Sequence, residues 1–340
     1  MPRRPPAVAR VLERVTKTAR EHEMFRPGDL VLVSCSGGPD SVCLLYSLWH
    51  LRRLFKIRLA VFHFDHKLRP ESKKDAAYVR RLADRLHLSI YLREANNTPA
   101  KGESVEAWAR VARGNAANDV RRTIGAMTVA EGHTLDDQAE TVLLNLIRGT
   151  GLEGLAGIDP GSRGRGRWVQ PLIDVERADV ERFCGALHLR PRRDPMNEDR
   201  RFLRAAIRHD VLPNIERATG RHVTASIART ADVLRDHRDE LFRVTHEALV
   251  AVAQGQRGED VRFDARGLRE LPDALASRVI RLGAYNLLAT DGSAPWSKEA
   301  IEAVLDLARG RPGRTRDLLW GLKAVREKEY VRVSRSSPES

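Results

Sequence analysis

Short apolar runs at residues 30–34, 59–64, 89–92, 126–130 and 168–172 alternate with longer segments of helical period at about 40–54, 72–86, 105–122 and 135–147. That alternation confines the first 190 or so residues to an α/β fold, a doubly wound, parallel, five-stranded sheet with crossover helices. Strands of this kind are buried on both faces, and such folds bind ligands at the carboxyl ends of the strands, where the winding order reverses. Beyond Leu212-Pro213 the pattern changes to unbroken helical periodicity, with Ile227, Ala231, Leu234, Arg238 and Leu241 on repeating turns. The expected division is an N-terminal helix in 1–28, the α/β domain in 29–215, a smaller, mainly helical C-terminal domain in 216–333 and a disordered tail in 334–340. A last strand is expected at Tyr330-Val331-Arg332-Val333.

A length of 340 residues supports two such domains without staples. Nothing approaches the run of ~20 apolar residues that a membrane helix needs, and the basic start of the chain leads into a charged segment rather than an apolar leader. A cytoplasmic protein without a membrane partner is expected. The cysteines, Cys35, Cys43 and Cys184, form no Cys-x-x-Cys or Cys/His cluster, which argues against a disulfide framework or a structural metal site. A net charge of +13 favours a polyanionic partner, although an excess of Arg over Lys this uniform also reflects composition.

Two motifs carry the chemistry. In Val31-Leu32-Val33-Ser34-Cys35-Ser36-Gly37-Gly38-Pro39-Asp40-Ser41 a strand runs through a turn of small residues into a helix. Helix-start amides bind phosphate, Gly37 and Gly38 let the main chain approach closely, Pro39 suits a first helical turn, and Ser36 and Ser41 add hydroxyl donors. Asp40 would repel phosphates unless a divalent cation lay between, so it implies Mg²⁺. No Walker Gly-Lys-Ser/Thr is present. In Glu131-Gly132-His133-Thr134-Leu135-Asp136-Asp137-Gln138-Ala139-Glu140, Thr134 reads as an N-cap, and Asp136 and Glu140 share a helix face. These acids either compensate the helix dipole, hold Mg²⁺, or bind and deprotonate a cationic amine.

The hexad Ser36 to Ser41 resembles the PP-loop of the ATP pyrophosphatases, which implies cleavage of ATP to AMP and pyrophosphate. Together with His63-Phe64-Asp65-His66-Lys67-Leu68-Arg69-Pro70, the His133 motif, Asp194-Pro195-Met196-Asn197 and the Arg204 to Arg208 run, the chain resembles the tRNA(Ile)-lysidine synthases through residues 29–215. The resemblance implies adenylation of the wobble cytidine of a CAU anticodon at its C2 oxygen, followed by attack of free L-lysine. It implies ATP on Ser36, Gly37, Gly38, Pro39, Asp40, Ser41, His63 and Phe64, and lysine or the base near His133, Asp136, Asp137 and Glu140. Asp40, Asp137, His133 and Arg113 are the expected catalytic residues, with Asp40 also the metal ligand. The C-terminal domain would bind tRNA.

Arg110 and Arg113 share a helix face and read either as tRNA contacts that neutralise the phosphate charge as AMP leaves or as a solvated basic face. Arg200, Arg201, Arg204 and Arg208 form a basic stripe with the same two readings, tRNA contact or solvent. Two positions depart from the family pattern: Gly114 stands where an aromatic is usual, and Ala205 where Asn is common. A sulfur-transferring PP-loop enzyme would need paired or cluster-holding cysteines, which these three do not offer. A monomer and a homodimer are both compatible with the sequence.

Overall fold

The computed structural model describes residues 4–68, 72–100, 102, 104–161, 168–192, 200, 202–255, 260–287 and 296–335. They form two compact units, divided between Arg235 and Asp236. The first holds β1 (Leu30–Ser34), β2 (Arg58–Asp65), β3 (Ile90–Glu94), β4 (Thr128–Ala130) and β5 (Trp168–Val169), all parallel, in the order β3-β2-β1-β4-β5. The chain winds outward from β1 to β3 and then returns to the other side of β1. The winding therefore reverses between β1 and β4, which places the ligand crevice between the loops that leave these two strands.

Period-two alternation sorts the side chains. Val31, Val33 and Val61 enter one core with α1 (Pro6–Glu21), α2 (Pro39–Phe55), α3 (Ser72–Arg85) and α7 (Arg177–Ala186). Leu32, Ala60, Phe62 and Phe64 enter another with Trp108, Ala117 and Val120 of α4 (Val105–Thr123). Helix α1 belongs to the first of these cores. Its Val8, Val11, Leu12, Val15 and Ala19 recur at helical spacing and are buried, each large side chain contributing about 1.5–3 kcal/mol. Helix α5 (Leu135–Ile147) follows β4 and is succeeded by α6 (Leu152–Leu155). After α7 come α8 (Leu203–Ala206), a π-helical turn (Ile207–Val211), α9 (Leu212–Thr219) and α10 (Val223–Val252). The run expected at 168–172 pairs only over Trp168–Val169, because Pro171 has no amide to donate to a ladder.

The second unit carries the helices its periodicity leads one to expect, α11 (Ala265–Glu270), α12 (Asp273–Leu287) and α13 (Lys298–Arg309). The expectation of a mainly helical domain still needs correction. The helices accompany a five-stranded antiparallel sheet, ordered β6 (Ala253–Gln254), β7 (Asp260–Asp264), β10 (Tyr330–Arg335), β9 (Leu322–Arg326), β8 (Thr315–Leu318), of which only the last strand in sequence was anticipated. Its strands are short and bury few apolar residues, Val261 and Phe263, Leu322 and Ala324, or Val331 and Val333, each pair separated by a charged residue, so no apolar run marks them. No described helix is long and apolar enough to cross a membrane.

Candidate active site

At the end of β1 the chain turns through Ser36 and Gly37 into α2. Gly37 has φ +94°, and a Cβ there would lie 3.3 Å from the Tyr78 ring, so glycine is required both by conformation and by space. Gly38 is the N-cap and Pro39 opens the helix. The Gly37 amide donates to Ser41 Oγ at 3.1 Å, and Ser41 Oγ donates to the Gly38 carbonyl at 2.9 Å. The loop is thus held by its own hydroxyls, with a helix N-terminus beneath it to favour an anion. From β2, His63 Nδ1 meets the Cys35 carbonyl at 2.9 Å, and from beyond α7 the Arg192 amide donates to the Gly37 carbonyl at 2.8 Å.

The loop after β4 lies against this turn. A Cβ on Gly132 would stand 3.1 Å from the main-chain carbon and oxygen of Asp40, closer than ordinary contact. The missing side chain is what lets the His133 motif lie beside the phosphate loop. Thr134 then caps α5 reciprocally with Asp137: the Thr134 amide and hydroxyl donate to Asp137 Oδ2 at 2.8 and 2.9 Å, and the Asp137 amide donates to Thr134 Oγ1. The remaining carboxylate oxygens are met by three guanidinium groups. Arg177 reaches Asp137 Oδ1 and Glu140 Oε1, both at 3.1 Å. Arg204 reaches Asp137 Oδ1 at 3.2 Å and Glu140 Oε2 at 3.0 Å, and Arg208, from the π-helical turn, grips both oxygens of Glu140 at 2.7 and 3.0 Å. Asp136 takes the main-chain N–H of Arg177 at 2.7 Å, capping the start of α7.

These surroundings set the protonation states. Burial disfavours the charge of Asp137, but Arg177, His133, Arg204 and the Thr134 amide outweigh it and hold the carboxyl far below the usual range. Glu140, fully buried, is likewise lowered by its guanidinium partners against the cost of burial. A carboxylate held that low is a good receptor for a cation and a poor proton acceptor. His133 is lowered, chiefly by burial, and is neutral at neutral pH. Asp40 goes the other way: burial and then the nearby Asp137 push it up to about 7, and its Oδ1 is buried without a hydrogen-bond partner. A carboxylate left unsatisfied beside a phosphate loop fits a Mg²⁺ site, since Mg²⁺ commonly takes one or two carboxylates and completes its shell with phosphate and water. Among the described residues no group of three or more metal-ligating side chains occurs.

The other expected residues fall as follows. Arg113 reaches the end of β4, 3.4 Å from Glu131, with its Nε buried and unpartnered, and His133 Nε2 lies 3.8 Å from the same carboxylate. Arg110 sits in solvent with Glu106 at 3.7 Å. Phe64 turns to the opposite face of the sheet from His63 and packs edge-on to His66, with ring centroids 4.8 Å apart. Arg204 and Arg208, read from sequence as tRNA contacts or solvated cations, face Asp137 and Glu140. Arg200 pairs with Asp210 near the surface, while Arg201, residues 194–199 and the Gly/Arg-rich 162–167 lie outside the described residues. Sequence reasoning missed Arg177 and Arg192. A lone Arg opening a helix carries no spacing signal, and only the tertiary fold brings it to α5.

A family model described as a PP-loop domain matches residues 8–215. The tRNA(Ile)-lysidine synthase of Symbiobacterium thermophilum is 36% identical over 345 residues, covering 97% of this chain and 70% of that one. The enzyme of the same name from Cutibacterium acnes is 35% identical, with 94% of each chain covered. Among solved structures, the U34-tRNA thiolase NcsA from Methanococcus maripaludis superposes with a TM-score of 0.58 at 18% identity, covering 68% of this chain and 80% of that one, a likeness of fold alone.

Proposed function

The chain belongs to the tRNA(Ile)-lysidine synthases of the PP-loop family, and from that premise we propose that it ligates free L-lysine to C2 of the wobble cytidine in the CAU anticodon of tRNA(Ile), converting ATP to AMP and pyrophosphate. The observation that carries this reading is the contact of Gly132 with Asp40, which sets a phosphate loop and a helix start bearing buried carboxylates side by side. An ATP-dependent ligation to an amine needs those two subsites within reach of one reacting centre.

In the first step the cytidine O2 forms a bond to Pα and pyrophosphate leaves, with the amides and hydroxyls of Ser36 to Ser41 holding the phosphates. When bound, Mg²⁺ would be held on the protein side by Asp40 and would neutralise phosphate charge. In the second step the lysine amine bonds to C2 while the C2–O bond breaks and AMP departs with that electron pair. Asp137 and Glu140 receive the ammonium, in exchange for a guanidinium of Arg204 or Arg208 that turns to phosphate. Neutral His133 is better suited than Asp137 to take the amine's proton, because Asp137 is held too low to act as a base at neutral pH. Arg113, whose Nε is unpartnered beside Glu131, would neutralise the departing phosphate. Such an enzyme works where tRNA is made, in the cytoplasm.

Sulfur as the nucleophile is disfavoured by the cysteines themselves. Cys35, Cys43 and Cys184 are buried, and burial pushes Cys35 up to about 11 and Cys184 up to about 12, so they are thiols at neutral pH. The test supplies ATP, labelled lysine and tRNA(Ile) and follows pyrophosphate and labelled tRNA. Asp137→Ala is expected to abolish labelling, and near-normal labelling in that variant would remove Asp137 from the site. Pyrophosphate released without tRNA would turn the assignment to a small-molecule synthetase.

A further inference from the structure

One residue ties together every carboxylate in the first turns of α5. At the first position of α7, Arg177 donates its main-chain N–H to Asp136 Oδ2 at 2.7 Å and its guanidinium to Asp137 Oδ1 and Glu140 Oε1, both at 3.1 Å. Arg204 and Arg208 touch two of these acids, by side chain alone and from the separate segment that begins with α8. Arg177 differs in being locked at both ends. Its backbone is fixed to the acidic helix, and its side chain, 21% exposed, lies between α7 and α5.

We propose that Arg177 is the positioning residue of the amine site, holding Asp137 and Glu140 in one fixed arrangement as a preformed receptor for the lysine ammonium. The inference rests on the reading of these acids as the lysine subsite. Its physical basis is the cost of what it prevents. Glu140 is fully buried, and a buried carboxylate deprived of a charged partner takes up a proton or swings toward water. The charged and titratable groups facing the pair are Asp40 from α2, His133 from the β4 loop, Asp136 on α5, Arg177 on α7, and Arg204 and Arg208 beyond it. When phosphate draws Arg204 or Arg208 away, Arg177, tied down by its own main chain, stays to keep the acids charged and aimed. A lysine at this position would offer one point charge where the two acids require a planar fork.

The test uses full-length Arg177→Gln and Arg177→Lys. Adenylation, read as tRNA-dependent pyrophosphate release, is expected within about threefold of wild type in Arg177→Gln. Lysine transfer should fall on the order of 10²-fold with a raised KM for lysine, the scale of a misplaced acid–base group. The acid limb of its pH profile should move upward. Arg177→Lys should recover part of the loss. Independently of activity, infrared difference spectra recorded in an Asp40→Asn background, which removes the protonated carboxyl that Asp40 itself gives near neutral pH, should show a protonated carboxyl band with Arg177→Gln that is missing with Arg177 in place. Unchanged lysine transfer, no such band, or an equal fall in both half-reactions with no pH shift would each overturn the proposal. Wild-type enzyme that fails to label tRNA would sink the lysidine reading instead, and the infrared band would still decide whether Arg177 governs the acid pair.

Discussion

Gly132 and Asp40 show how much one contact decides. The absent Cβ of Gly132 is what brings the α5 carboxylates to the phosphate loop, where burial and then the nearby Asp137 leave Asp40 raised to about 7 with an unpartnered oxygen. Gly132→Ala must push the Asp40 main chain aside. We expect about 1–3 kcal/mol of destabilisation, the usual cost of overpacking, together with a loss of pyrophosphate release that Gly114→Ala, with nothing within 4 Å, does not share. Thermal melting and pyrophosphate release measured on both variants check this. Asp40 and Asp137 were legible as candidates because a carboxylate beside a phosphate loop and two acids after an N-cap are local patterns. Their opposite protonation behaviour was not, since it depends on Arg177 and Arg204, about 40 and 67 positions away in sequence from Asp137.

Among the elements, α5 carries both fold and chemistry. Its reciprocal cap ties Thr134 to Asp137, so Thr134→Ala should cost about 0.5–2 kcal/mol and loosen the Asp137 carboxylate. Asp137 and Glu140 are both lower in the folded protein than their ordinary values of 3.8 and 4.5. Their contribution to stability is therefore fully present above those values and is lost as pH falls through and below them. Denaturant titration from pH 7 to pH 3 should show stability declining below about pH 4.5, and Glu140→Gln should flatten that decline. The helices α2, α4 and α5 announced themselves through apolar periodicity, α2 and α5 also through Pro39 and the Thr134 cap. The strands of the second sheet did not, because each buries few side chains and charged residues fill the alternate positions. Strand β5 stopped early at a proline whose effect the apolar run concealed.

Across the whole molecule, the charge of +13 survives folding although arginines are drawn into the acid cluster, leaving a surplus for an RNA backbone. Binding of tRNA(Ile) should weaken steeply between 50 and 200 mM salt, by roughly tenfold or more, whereas ATP-dependent steps at saturating tRNA should change far less. A flat salt response in a filter-binding titration would argue against a phosphate-dominated interface. By itself the amino-acid sequence determined the parallel α/β sheet, the strand-to-helix phosphate loop and the acidic helix start, because periodicity, glycine placement and capping act over a few residues. Only the tertiary structure decided that β1 and β4 are neighbours, that Gly132 meets Asp40, and that Arg177, Arg204 and Arg208 converge on Asp137 and Glu140. Those contacts join residues far apart along the chain, where charge and burial compete and no local pattern records which partner prevails.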